Sequence, residues 1–242
     1  MKDILVIGES CRDIFVYCDA PRLCPDIPVP VLNIINQTEN VGMSKNVQRN
    51  IMSYLPNCNI VTNINWQNIT KTRYVHEKTN HMFFRVDSPH NIGRINLDSI
   101  DYDYKIIVIS DYNKGFLTES DIKEITKKHD CVFLDTKKVL GEWAKDCKYI
   151  KINDFEYQNS KHSINDSIKN KIIHTKGGDG CEFQNKQYKV NKVEIKDTSG
   201  AGDSFISALV INYLKTNDII SSIKFANDKA SKVVTKIGVS VI

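Results

Sequence analysis

Short, nearly continuous apolar runs recur along the chain and alternate with segments of helical period. Residues 3–8 form such a run and end at Gly8-Glu9. It reads as a buried, parallel-type strand, because a strand covered on both faces has no polar side to alternate with. From Tyr104 the rhythm is regular. Strands are expected at Tyr104–Ser110, Cys131–Leu134, Tyr149–Ile152 and Lys171–Thr175. Helices are expected from about Thr118, near Val139–Lys145 and over Asn165–Lys169. Gly180–Gln184 and Lys186–Ile195 look antiparallel, and helices at 203–214 and about 219–236 follow. Strands alternating with helices predict an α/β fold with a mostly parallel sheet flanked by helices.

Other extended pieces stand outside this rhythm. Asp13–Tyr17 and Val29–Ile34 are strand-like, and Lys71–His76 with His81–Asp87 reads as a hairpin around Glu77–Asn80. Pro25, Pro28 and Pro30 forbid a helix or a central strand in Cys24–Leu32, so that segment is expected to be extended, at an edge or in a linker. These pieces predict a small β-sheet lid, from segments near 12–36 and 71–88 of a single domain spanning 1–242. Asn59–Asn63 reads as a further strand. A helix is expected over 46–55, with apolar positions 47, 51, 54 and 55 on one face, ended by Pro56-Asn57. Asn46, in its first turn, faces either a ligand above Gly42 or a plain capping role.

Polar residues are placed unevenly on this frame. Asp111–Gly115, Asp135–Lys137, Asn153–Glu156 and Thr175–Gly180 each follow a predicted parallel strand. All lie at carboxyl ends, where open α/β sheets bind ligands. A fifth stretch, Asp197-Thr198-Ser199-Gly200-Ala201-Gly202-Asp203, precedes the apolar run that reaches Leu214. Small residues let its backbone come close to a ligand, and the helix start aims free N–H groups at the turn. This is an anion site with a carboxylate at its mouth. Asp203 is either the cap of the helix or the acceptor of a proton from a hydroxyl that attacks a phosphate.

Composition narrows the partners. The chain has 242 residues, 41% hydrophobic and 26% charged, with a net charge of +4 spread along its length. No basic run exceeds a pair or so, which argues against nucleic-acid binding. No stretch is long enough to span a membrane. Seven cysteines with no C-x-x-C pair read as reduced thiols of a cytoplasmic protein. The six histidines, His76, His81, His90, His129, His162 and His174, show no metal-ligand spacing, and Trp66 and Trp143 read as packing residues.

The sequence resembles the ribokinase-like (PfkB) carbohydrate kinases. Their D-T-x-G-A-G-D-x-F signature is matched from Asp197 to Phe205. A Gly-Asn helix motif (Gly42, Asn46), an N-x-x-E motif (Asn153, Glu156), a T-x-G-x-x-G turn (Thr175, Gly177, Gly180) and a late F-A-N helix (Phe225–Asn227) appear in order. Within the family, local segments resemble the heptose 7-phosphate kinase module of ADP-heptose synthesis enzymes. They are Cys24–Val31, Lys71–Val75, Phe84–Asp87, Ser110–Gly115, Asp135–Lys137 and Lys236–Val241.

The resemblance implies a ribokinase-like fold and ATP-dependent phosphorylation of the anomeric hydroxyl of a heptose 7-phosphate. Asp203 is implied as the base and Gly200, Ala201 and Gly202 as the anion hole. Asn153 and Glu156 are implied near the triphosphate and its Mg2+, with Glu156 toward the metal. Thr175, Gly177, Gly180, Asp197, Thr198 and Asn227 are implied around the nucleotide. Asp13, Gly42, Asn46 and Asp111 are implied at the sugar, and Lys71, Arg73, Arg85 and Lys114 are candidates for its phosphate. A homodimer formed through the lid is implied as well.

The chain also departs from the pattern. Val41 replaces a Gly, Glu9 replaces an Asp, and Lys45 stands where small residues are usual. Asp135-Thr136 replaces Asp-Pro, and the passages between Asn59 and Lys71 and between Glu156 and Lys171 are short. No H-x-G-H motif occurs, so no adenylyltransferase half is expected. The alternatives are a kinase of another sugar or nucleoside, or a trimmed, non-catalytic binding protein of the same fold.

Overall fold

The computed structural model describes residues 2–89, 91–236 and 238–242; His90 and Ile237 lie outside the described residues. The larger sheet contains β1 (Lys2–Gly8), β4 (Cys58–Val61), β7 (Tyr104–Asp111), β8 (Val132–Thr136), β9 (Tyr149–Asn153), β10 (Ile172–Thr175), β11 (Cys181–Phe183) and β12 (Lys186–Tyr188). Its order is β12-β11-β10-β9-β8-β7-β1-β4. The strands from β4 to β10 pair in parallel, and β11 and β12 continue antiparallel.

Alternation along each buried strand splits the core into two layers. Ile4 and Val6 of β1, with Ile106 and Val108 of β7, face one layer; Leu5, Ile7, Ile107 and Ile109 face the other. The first layer is closed by α1 (Ser44–Met52), α5 (Ala201–Thr216) and α6 (Ile219–Val233), the second by α2 (Glu119–Lys128). Sheets covered on both sides need such two-sided apolar strands.

The second sheet has the order β3-β2-β5-β6, from β2 (Ser10–Leu23), β3 (Pro30–Met43), β5 (Thr70–His76) and β6 (Met82–Asp87). β5 and β6 form the expected hairpin. β3 runs nine residues past Ile34, because its mostly exposed residues carry no apolar alternation for a sequence reading to detect. The C-terminal segment is tied to this sheet where Val239 packs on Phe15 and Val75.

Four local expectations are corrected. The helix near Val139–Lys145 is one 3-10 turn, Glu142–Ala144, since Gly141 is fully extended and the Leu140 N–H is taken by Ser160 Oγ. The strand over Lys186–Ile195 stops at Tyr188, and the following backbone skirts a cavity. The helix over 46–55 spans Ser44–Met52, so Tyr54 and Leu55 lie beyond it. α5 begins at Ala201 rather than at 203, which puts Gly202 and Asp203 inside its first turn. The sequence pattern also gives no hint of α3 (Asp154–Ser160), whose residues are mostly polar and which is held at its start by a capping box. α4 (Asp166–Lys169) matches expectation.

Candidate active site

The carboxyl ends of β7, β8, β9 and β10 and the start of α5 converge on two cavities. The larger, of about 790 Å³, is lined by Asp135, Lys137, Lys151, Asn153, Thr175, Gly177, Gly180, Thr198, the Gly200–Asp203 turn and Asn227. Apolar side chains, Phe155, Val190, Val193 and Ile195, line it as well. The smaller, of about 80 Å³, lies under the second sheet and is lined by Cys11, Asp13, Gly42, Met43, Asn46, Lys71, Arg73 and Val239. Tyr112, Gly200 and Asp203 line both.

The α5 turn is built by its own sequence. Asp197 accepts the Ser199 N–H at 2.8 Å and the Gly238 N–H at 3.0 Å, so one carboxylate ties the turn to the C-terminal segment. Gly200 sits in the left-handed region at φ 78, and a side chain there would press Asn46 Nδ2 at 3.1 Å. Among the described residues no side chain caps α5; the Ala201 N–H donates to the Thr198 carbonyl at 3.2 Å, which leaves the N–H groups of Gly202 and Asp203 as the open donors of the first turn. Asp203 is therefore not a cap.

The Asp203 carboxylate is 7% exposed and stands where the cavities meet. Asn46 Nδ2 donates to Oδ2 at 2.8 Å and the Tyr112 hydroxyl donates to Oδ1 at 2.6 Å. Burial pushes this carboxyl above its ordinary value, against the pull of those two donors and of Lys151. A raised carboxyl with open access to an acceptor hydroxyl suits a general base. Asn46 accordingly faces the site and is not a plain cap.

Cations flank the turn. Lys151, in mid-strand on β9, is 3% exposed and pairs with Asp135 at 2.9 Å. Its amine lies 3.0 Å from where a Cβ on Gly202 would be. Lys137 pairs with Glu156; burial lowers its pKa, but Asp135 and Glu156 more than offset that and hold it above the ordinary lysine value. Free helix N–H groups, two lysines and a carboxylate together can carry an anionic group from one cavity to an acceptor in the other.

In the smaller cavity, Arg73 pairs with Asp13. Lys71 has no carboxylate partner among the described residues, and its Nζ lies 4.8 Å from the centre of the Tyr112 ring. Burial pulls the Lys71 amine below its ordinary value. A cation so placed is poised for an anionic ligand. Lys45 does not enter this cavity; it lies over the Trp66 ring at 4.6 Å, while Met43 lines the wall in its place.

Several sequence-picked residues line neither cavity. Arg85 is exposed and pairs with Asp87. Lys114 lies off both cavities, its N–H donated to Glu9. Asp111 is buried and holds Thr136 Oγ1 at 2.5 Å and Lys138 Nζ at 3.1 Å, a structural pairing and not a ligand-facing one. Asp197 organises the turn from behind. Asn227 reaches the large cavity while its amide donates to the Tyr188 carbonyl at 2.9 Å.

Glu156 closes the α3 capping box with Asn153. Its Oε2 accepts the Asn153 N–H, and its Oε1 accepts Asn153 Nδ2 and pairs with Lys137. Its oxygens are thus occupied by donors, which does not fit direct Mg2+ ligation, and no cluster of three or more metal-ligating side chains occurs among the described residues. Tyr112, Lys137 and Lys151 are absent from the sequence-picked set. Lys151 carried a signal there: a lysine between isoleucines in a buried strand is an anomaly. Tyr112 and Lys137 lie within the strand-end stretches Asp111–Gly115 and Asp135–Lys137, but neither is singled out there.

The family model described as pfkB family carbohydrate kinase matches residues 43–241. The Bifunctional protein HldE of Helicobacter pylori (strain G27) is 28% identical over 98% of this chain, and that of Campylobacter jejuni (strain RM1221) is 26% identical over 97%. The chain spans 64% and 61% of the length of these relatives. Among solved structures, a ribokinase from Thermotoga maritima superposes with a TM-score of 0.76 at 18% identity, covering 99% of this chain and 95% of that one. Phosphofructokinase-2 from Escherichia coli, in complex with potassium, gives 0.71 at 14% identity, covering 100% and 95%. The ribokinase of Arabidopsis thaliana, complexed with ribose and ATP, gives 0.67 at 13%, covering 98% and 94%. These structural neighbours establish the ribokinase-like fold, with its mostly parallel sheet and second small sheet. Among the described residues, no helix is long and apolar enough to cross a membrane. With the family model covering most of its length, the chain belongs to the pfkB family of carbohydrate kinases and is an ATP-dependent carbohydrate kinase.

Proposed function

We propose that the enzyme transfers the γ-phosphoryl group of ATP to the anomeric hydroxyl of a heptose 7-phosphate, giving the 1,7-bisphosphate. The observation that carries the site assignment is the position of Asp203, at the junction of a large cavity with an open helix N-terminus and a small cavity beneath a lid. The sugar hydroxyl gives its proton to Asp203, its oxygen forms the new bond to the γ-phosphorus, and the bond from that phosphorus to the bridging oxygen breaks to release ADP. The N–H groups of the Gly200–Gly202 turn receive the transferring group, with Lys151 beside them. Mg2+ accompanying ATP would neutralise charge on the phosphates, and the occupied oxygens of Glu156 would leave it without direct ligation by that residue.

The heptose assignment is supported by the local likeness to HldE and by the unpartnered Lys71 in the sugar cavity. Lys71 and Arg73 are the residues we assign to the distal phosphate. The second reading is another sugar or a nucleoside, and one observation favours its smaller-sugar form: about 80 Å³ is small for a seven-carbon sugar phosphate. ATP consumption measured with heptose 7-phosphate, ribose, fructose 6-phosphate and adenosine separates the two. Turnover with one of the others and none with the heptose overturns the first reading. Asp203→Asn is expected to lower kcat by at least about 10²-fold while ATP binding persists; unchanged turnover refutes the base.

We also propose a homodimer through the lid and a cytoplasmic location. Phe84 and Val86 on one face of edge strand β6, Met82 beyond the register shift in that strand, and Ile34 and Ile35 on edge strand β3 are exposed apolar side chains that a second copy would cover.

A further inference from the structure

Asp203 is held by a residue to which the sequence reading assigns no role, Tyr112 of the Ser110–Gly115 segment. The Tyr112 hydroxyl donates to Oδ1 at 2.6 Å, and Asn46 Nδ2 donates to the other oxygen at 2.8 Å. One donor on each oxygen fixes the plane of a carboxylate and leaves each oxygen a lone pair for an incoming hydroxyl. Tyr112 itself is anchored from the opposite side. The buried Glu9 carboxylate accepts the Tyr112 N–H at 2.8 Å through one oxygen and the Lys114 N–H at 2.8 Å through the other. The next residue, Asn113, is in the left-handed region at φ 55, so this loop turns sharply on the Glu9 clamp. The ring forms part of the wall of both cavities, with Lys71 Nζ at 4.8 Å and Lys137 Nζ at 5.8 Å from its centre.

We infer that Tyr112 is a positioning residue: anchored by Glu9, it holds the Asp203 carboxylate in a fixed plane at the junction of the two cavities. The inference rests on the proposed role of Asp203 as base. The groups that face Asp203 are Asn46 from α1, Cys11 from β2, Lys71 from β5, Asp135 and Lys137 around β8, and Lys151 from β9. Burial, which raises the Asp203 carboxyl, is the largest effect, and Asp135 adds to it; Asn46, Tyr112 and Lys151 oppose it. The phenol is held well above its ordinary value, chiefly by its own burial and then by Asp203, so it remains a donor throughout the working pH range. Removing that donor must therefore raise the Asp203 carboxyl further.

The test is a carbon-13 NMR titration of protein labelled at the aspartate carboxyl carbon, with the Asp203 resonance assigned by its loss in Asp203→Asn. Tyr112→Phe is expected to move the Asp203 midpoint up by about one pH unit, with ATP affinity unchanged. Glu9→Asp keeps the phenol but shortens its anchor; it moves the midpoint the same way by less, and carries the test if the Phe variant does not fold. With heptose 7-phosphate and ATP, the acid limb of kcat/KM follows, an about tenfold loss below the limb. An unmoved midpoint overturns the inference, as does a general rise in kcat/KM for the Phe variant, which would make Tyr112 an obstruction. Unchanged turnover in Asp203→Asn instead refutes the base assignment and leaves the titration result standing.

Discussion

Lys151→Met is expected to harm stability and catalysis through separable routes. Lys151 and Asp135 are 3% and 7% exposed and 2.9 Å apart. Removing one partner of a buried pair typically costs about 3–5 kcal/mol, because the other charge is left uncompensated. Lys137 stands close enough to Asp135 to compensate in part, so the low end, about 3 kcal/mol, applies. For a chain of this size that is a fall in Tm of roughly 6–12 °C. Adding Asp135→Asn removes the stranded charge, so the double variant is expected to recover at least about 2 kcal/mol. Its turnover is not expected to recover, since the cation beside the Gly202 turn is gone; kcat stays down by about 10²-fold or more. Urea denaturation measures the first effect and ATP turnover the second. A single variant within about 0.5 kcal/mol of the parent refutes the energetic argument. A double variant with restored turnover refutes the role of Lys151 at the anion turn.

The other predictions test neighbouring claims. Glu156→Gln keeps a residue able to close the Asn153 capping box, so its loss of stability is expected to stay within about 1 kcal/mol. Its Mg2+ activation curve is expected to match the parent's, and a clear shift to higher Mg2+ would restore Glu156 as a metal ligand. Burial holds the Asp203 carboxyl above its ordinary value of 3.8, so ionised Asp203 opposes folding at any pH above both its folded and unfolded values. That opposition fades as pH falls toward the unfolded value. Asp203→Asn is therefore expected to be at least as stable as the parent at neutral pH in urea, and a clearly less stable variant contradicts the sign. Phe84→Asp, at an exposed position stacked on Tyr74 at 4.7 Å, is expected to yield monomers by light scattering if copies pair through β6. A parent that is already monomeric ends the dimer proposal.

The buried parallel strands were legible because their chemistry is repetitive. Ile4–Ile7 and Ile106–Ile109 are apolar on both faces, and only a sheet covered on both sides explains that. The anion turn was legible from its small residues and the uninterrupted helix behind them. Elements that depend on single polar contacts were not. α3 exists because Asn153 and Glu156 satisfy each other's backbone, a contact that a reading of Asn153–Glu156 as ligand residues passes over. Much of β3 is a solvated edge with no apolar period. The phosphate candidates divided along the same line: Lys71 on β5 has no carboxylate partner among the described residues, whereas Arg73 on the same strand pairs with Asp13 and Arg85, on β6, pairs with Asp87. Residue type alone does not separate a waiting cation from a satisfied one.

The departures from the family pattern become intelligible in pairs. Taken alone, Glu9 is a longer carboxylate where the motif carries an Asp. Glu9 lines neither cavity. Both of its oxygens are spent on backbone N–H groups of the loop after β7, and burial together with the nearby Asp111 holds its carboxyl above the ordinary value. A carboxylate buried against a neighbouring acid is unfavourable unless its hydrogen bonds fix something of use. What they fix is the start of Tyr112, whose ring separates the two cavities and whose hydroxyl meets Asp203. On that view the longer side chain serves to anchor Tyr112. The length of Glu9 sets how far the loop stands off β1, and the loop sets where the phenol reaches the base. Shortening the carboxylate should therefore disturb Asp203 through Tyr112, from a residue that itself lines neither cavity.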